Sequence, residues 1–131
     1  MKQKYIVGDV VMYHNKIMVI KEPRDGNNFD LSCPKEGLVY CFVGVEDIKP
    51  VVLTPEILDK NGWYGATHSK QSDDSTKILY KTFKRKGYPT IKVSQDLKIT
   101  CELSPFIVKL ESVSDLQHLL LGLGINHEME V

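Results

Sequence analysis

The 131-residue chain is 42% hydrophobic and 26% charged, the proportions of a folded globular protein, which excludes wholesale disorder. Seventeen basic residues balance seventeen acidic ones, so the positive excess of a dedicated nucleic-acid module is missing. Three cysteines, an odd number with no CxxC spacing, exclude a disulfide framework of the secreted kind.

Cys33, Cys41 and Cys101 are expected as buried free thiols, although Cys33 and Cys41 also stand where a hairpin would let them face each other. Met1-Lys2-Gln3-Lys4 leads into no long apolar run, and no stretch approaches the ~20 apolar residues of a membrane span. A cytoplasmic protein without membrane contact is the expectation.

The first fifty residues read as short strands separated by turns. Gly8-Asp9 precedes the run 10–13, and His14-Asn15 is a two-residue turn into 16–21, the pattern of a β-hairpin. The breaker-rich 23–28 is a loop. Residues 29–33 alternate apolar and polar as a half-buried strand does, 34–37 is a turn, and 38–43 is strongly β-prone. One 3₁₀ turn at 45–48 before a last strand at 49–52 completes five strands, the habit of an SH3-like barrel, which closes its sheet to remove edges.

The segment 54–61 predicts a two-turn helix. Thr54 is a good N-cap, Pro55 suits the first helical position, Glu56 suits the positive end of the dipole, and Asn61-Gly62 stops it. Trp63 and Tyr64 follow and are expected to pack between the two halves, with a ligand-facing aromatic pair as the alternative. The polar stretch 65–76 reads as an exposed loop. Four β-prone runs (77–83, 90–94, 97–103 and 106–111) read as an antiparallel meander. A last helix is expected at 115–123, with Ser114 as N-cap, Gln117 closing a capping box, and Leu116, Leu119, Leu120 and Leu123 on one face. The tail from Glu128 is expected as an edge strand. The fold is therefore α+β: an N-terminal all-β, SH3-like unit over 1–52, then a unit over 53–131 in which an antiparallel sheet is covered by the C-terminal helix, the two sharing some core.

Three stretches also carry a resemblance: the 53–63 string LTPEILDKNGW with Val45-Glu46-Asp47-Ile48-Lys49-Pro50 before it, the Gly8-Asp9 start, and the ending Leu116-Gln117-His118-Leu119-Leu120. The chain resembles a family of small uncharacterised proteins of Bacteroidetes and their phages and integrated elements. The resemblance implies a bacterial or phage-derived accessory protein and assigns no chemistry to any residue.

Candidate chemistry is sparse. Lys77, Lys81, Lys84, Arg85, Lys86 and Lys92 fall in a strip without an acidic residue, interleaved with Tyr80, Phe83 and Tyr88. Lys81, Lys84, Arg85, Lys86 and Tyr88 are the candidate nucleic-acid contacts, since cations hold phosphates and aromatic rings stack on bases; a solvated strand face explains the same lysines. His14, His68, His118 and His127 show no metal-ligand spacing, and Asp73-Asp74 and Glu128/Glu130 lie where no rigid facing carboxylates are expected. No nucleophile elbow, phosphate loop or dinucleotide fingerprint occurs. No cofactor and no metal are expected. The reading is a non-catalytic interaction protein with an unidentified protein partner. The alternatives are a nucleic-acid-binding accessory protein and an enzyme without a recognisable motif. Leu121, off the leucine stripe, is extra apolar surface that either packs against the tail or serves a homodimer contact.

Overall fold

The computed structural model describes residues 5–69, 79–94, 96–103 and 106–131. The chain forms two units, Met1–Val52 with Ser112–Val131, and Leu53–Glu111. The chain leaves the first unit after Val52 and returns at Ser112, and these two residues pair in an antiparallel bridge. Beside them the Val113 N–H donates to the Val51 carbonyl at 2.8 Å. The second unit is thus an insertion between two neighbouring residues of the first. The helix expected to cover the second sheet belongs instead to the first unit.

The first unit holds β1 (Val10–Tyr13), β2 (Lys16–Arg24), β3 (Asn28–Cys33), β4 (Leu38–Gly44), a 3₁₀ turn (Val45–Asp47) and β5 (Lys49–Pro50). All pairs are antiparallel, in the order β4-β3-β2-β1-β5. His14 and Asn15 make the expected tight turn, with φ of 50° and 60°, the left-handed pair that matches strand twist. Val11, Met18, Ile20, Leu31 and Cys33 point to one face and form the core with Tyr5, Val43 and Ile48. The sheet is open, with β4 and β5 at its edges; no β4–β5 ladder closes it among the described residues. Cys33 is buried and Cys41 is exposed, and neither is in a disulfide. Leu31 pairs with Tyr40 and Cys33 with Leu38, which leaves Cys33 and Cys41 out of register and corrects the expectation that Cys41 is a buried thiol.

α2 spans Val113–Gly122 and packs on β1. Its N-cap is Ser112, not Ser114. The Ser112 hydroxyl accepts the Asp115 N–H at 3.1 Å, and the Asp115 carboxylate accepts the Ser112 N–H at 3.0 Å, a reciprocal capping box. The box forms two residues earlier than expected, and Gln117 is engaged elsewhere. The tail after Gly124 is not a strand.

The second unit begins with α1 (Pro55–Lys60), where the Thr54 hydroxyl accepts the Ile57 N–H at 3.3 Å. β6 (Tyr64–Ser69), β7 (Leu79–Lys84), β8 (Ile91–Ser94), β9 (Ile99–Leu103) and β10 (Phe106–Lys109) make an antiparallel sheet in chain order. β6 corrects the expectation of a loop from residue 65. Its polar sequence is tolerated because an edge strand has ladder partners on one side only. The remainder of that loop, including Asp73-Asp74, lies outside the described residues. Phe83, Ile91 and Cys101 lie on one register row and Val93 and Ile99 on the next, all buried. Leu58 and Trp63 are also fully buried in this unit.

Candidate functional site

The basic strip is divided by the sheet. Lys81 and Phe83 share a strand face, and the Lys81 ammonium lies 5.4 Å from the Phe83 ring centre, on the side of the sheet that carries the core. A Cβ on Gly65 would sit 2.6 Å from the Lys81 Cε, so a glycine there makes room for the lysine stem. The Arg85 guanidinium stacks on Tyr88 at 3.9 Å and lies over Trp63 at 5.1 Å. Trp63 and Tyr88 meet edge to face at 5.2 Å, and the Trp63 indole donates to the Pro89 carbonyl. Arg85 and Tyr88 are therefore engaged in closing the hairpin, and Trp63, fully buried, has no surface to offer a ligand. Lys81, Lys84 and Lys86 are exposed, Lys81 on the core side of the sheet, and Tyr64, paired with Lys84 across β6 and β7, is 78% exposed.

A second arrangement, unforeseen from sequence, lies at β4. The register slips between Phe29 and Leu31, so Cys41 and Phe42 together oppose Asp30, a β-bulge. Phe42 adopts φ 56°, a conformation bulky residues rarely take, and the residue is 60% exposed. Buried Asp30 holds it there: one carboxylate oxygen accepts the Phe42 N–H at 3.1 Å, the other accepts Arg24 Nε and Nη2 at 2.9 and 2.6 Å. The Arg24 guanidinium lies 5.2 Å from the Phe42 ring centre. Arg24, with the Phe42 N–H second, holds the Asp30 carboxyl below the usual carboxylate range. Leu38, Val39 and Cys41 continue the exposed surface along a strand that contains no charge. Nothing in the local sequence announces this; a positive-φ phenylalanine has no compositional signature.

The Gly8-Asp9 and Leu116-Gln117-His118 motifs meet in the first unit. Fully buried Gln117 accepts the Val10 N–H at 2.7 Å and donates to the carbonyls of Gly8 at 2.7 Å and His127 at 2.9 Å. Its amide acts as a piece of strand backbone, tying the start of β1 to α2 and the tail. Asp9, also fully buried, accepts the Ile6 N–H at 3.0 Å, and the same oxygen lies 2.7 Å from His118 Nε2. Its other oxygen has no hydrogen-bond partner among the described residues. Burial pushes the Asp9 carboxyl up, and the Ile6 and His118 contacts only partly oppose this.

A shallow cleft of about 270 Å³ opens beside the 3₁₀ turn, lined among others by Tyr13, His14, Glu46, Asp47 and Lys49. It is smaller than ordinary ligand pockets, and its charges are of both signs. Among the described residues no group of three or more His, Cys, Asp or Glu is placed to hold a metal ion, and no helix is long and apolar enough to cross a membrane. Comparison with models of known families, with curated proteins and with solved structures found no match.

Proposed function

We propose that the protein is a non-catalytic interaction protein whose first unit takes up an extended segment of a protein partner along the open edge of β4. One observation carries this reading: Phe42 is held exposed in a costly backbone conformation by a buried, doubly bonded Asp30. Strained residues persist only where the surroundings over-determine them, and they concentrate at functional positions. Exposed edge strands bind by adding a strand, with backbone bonds giving affinity and side-chain contacts giving specificity. The uncharged stretch from Leu38 to Cys41 supplies such an edge, and the bulge interrupts its regular register where Phe42 stands exposed. The strand order and the 3₁₀ turn before β5 support an SH3-like assignment for this unit. The family resemblance supports an accessory role in a bacterial or phage-derived setting.

Selection of a random-peptide library on the intact protein, with counter-selection on Phe42→Gly, tests this. Glycine accepts the left-handed conformation, so the variant keeps the bulge and removes only the ring. The expected binders are extended, apolar peptides that perturb the amide resonances of residues 38–42 and lose about tenfold or more in affinity on Phe42→Gly, the scale of a single anchor residue. Peptides that bind both proteins equally, or a selection that enriches none, would overturn the proposal.

A further inference from the structure

The neutrality of the chain conceals a separation of charge between its two units. Leu53–Glu111 carries ten basic and seven acidic residues, whereas the rest of the chain carries seven and ten. The objection that a balanced composition disfavours a polyanion partner therefore does not apply to the second unit.

The sheet register then sorts its side chains. Phe83, Ile91, Cys101, Val93 and Ile99 take the buried face. The opposite face carries Tyr64 and Lys84, paired across β6 and β7, then Lys92, Thr100 and Lys109 on one row from β8 to β10. Tyr64, Lys84 and Lys109 are exposed, and no ion pair engages either lysine among the described residues. Among the described residues the carboxylate on this face, Glu102, is bonded to Lys92 at 2.9 Å and leaves Lys84 and Lys109 uncancelled. Lys86 is exposed in the β7–β8 turn. The strip from β6 to β10 crosses four strand spacings, about 19 Å.

We propose that this sheet face, on which Thr82 is buried beside Lys92, is a binding site for single-stranded nucleic acid, with Lys84, Lys86 and Lys109 on the phosphates and Tyr64 stacking on a base. The proposal is independent of the β4 edge. The arrangement differs from the one legible in sequence: Lys81, Arg85 and Tyr88 are engaged within the unit, while Tyr64 and Lys109, outside the strip, join the site. A flat exposed ring beside a lysine favours a single strand over a duplex, whose bases are already stacked, and over an acidic peptide, which offers carboxylates but no π-face.

Fluorescence anisotropy with labelled oligo-dT and oligo-U on the full-length protein tests the proposal. Binding is expected at low salt with both oligomers, weakening with a log–log slope of about −2, as three phosphate contacts on a single strand dictate. Tyr64→Ala is expected to weaken binding about fivefold or more, and Lys84→Glu/Lys109→Glu to abolish it. Lys35→Glu/Lys49→Glu, which makes the same change of net charge in the first unit, is expected to weaken binding far less than Lys84→Glu/Lys109→Glu does. Lys84→Gln/Lys109→Gln replaces the glutamate pair if that variant fails to fold. No binding at low salt overturns the proposal. So does an equal loss in the Lys35/Lys49 control, or polyglutamate competing as well as the oligonucleotides.

Discussion

Two buried carboxylates in the first unit respond to their surroundings with opposite sign. Asp9 has one unpartnered oxygen and a carboxyl raised by burial; Asp30 has both oxygens bonded and a carboxyl lowered by Arg24 and the Phe42 N–H. A raised acid means that the native state binds the proton more tightly, so Asp9 favours folding at low pH. That contribution is lost as pH climbs from about 3.9, the unfolded value, through the folded one. Asp30 does the reverse: its contribution is complete above the unfolded value and disappears as pH falls through the depressed folded value. Denaturant unfolding from pH 3 to 8 checks both. Asp9→Asn is expected to gain on the native protein with rising pH, and Asp30→Asn to lose stability at neutral pH and flatten the acid limb. Gln117 is the other decisive residue. Gln117→Leu leaves the Val10 N–H and its carbonyl partners without their bonds, at about 1–3 kcal/mol per buried group. A total loss of about 2–4 kcal/mol is expected, with faster amide exchange at Val10.

At the scale of elements, β4 is the exception to the usual treatment of edges. Natural edge strands are blunted by charge, proline or a bulge. β4 has the bulge alone, and it displays Phe42 instead of turning it inward. Phe42→Gly relieves a left-handed phenylalanine, worth about 1 kcal/mol or more, and forfeits the Arg24 contact. Its melting temperature is therefore expected to be no lower than that of the native protein, while peptide affinity falls about tenfold or more. A marked drop in melting temperature would mean that the ring stabilises the fold and is not displayed for a partner. β6 shows the complementary lesson, a polar segment that forms a strand because β7 supplies a template for one of its edges.

For the whole molecule, connectivity is the main result. The second unit begins and ends at adjacent points of the first, since Val52 pairs with Ser112. Paired Cα atoms in antiparallel strands lie about 5 Å apart, a gap that a two-residue Asn-Gly turn closes. Replacing 53–111 by Asn-Gly is expected to yield a protein that unfolds cooperatively and retains the Gln117 bonds, as judged by thermal melting and amide exchange at Val10. A molten product without cooperative unfolding would show that the first unit depends on the insertion. The opposite net charges of the two units also predict that partner binding by each will respond differently to salt, strongly for the basic sheet face and weakly for the uncharged β4 edge.

Local chemistry determined much of this protein from sequence. The His14-Asn15 turn, the Thr54-Pro55 start of α1, the 3₁₀ turn and most strands are encoded within a few residues, where backbone preference and capping act directly. The choice between Ser112 and Ser114 as N-cap was not, because it depends on where Gln117 must reach. The return of α2 to the first unit, the burial of Trp63 against Arg85 and Tyr88, and the display of Phe42 are long-range outcomes. They turn on which backbone groups and apolar faces remain unsatisfied once the strands have paired, and that competition is resolved only when the whole chain is folded.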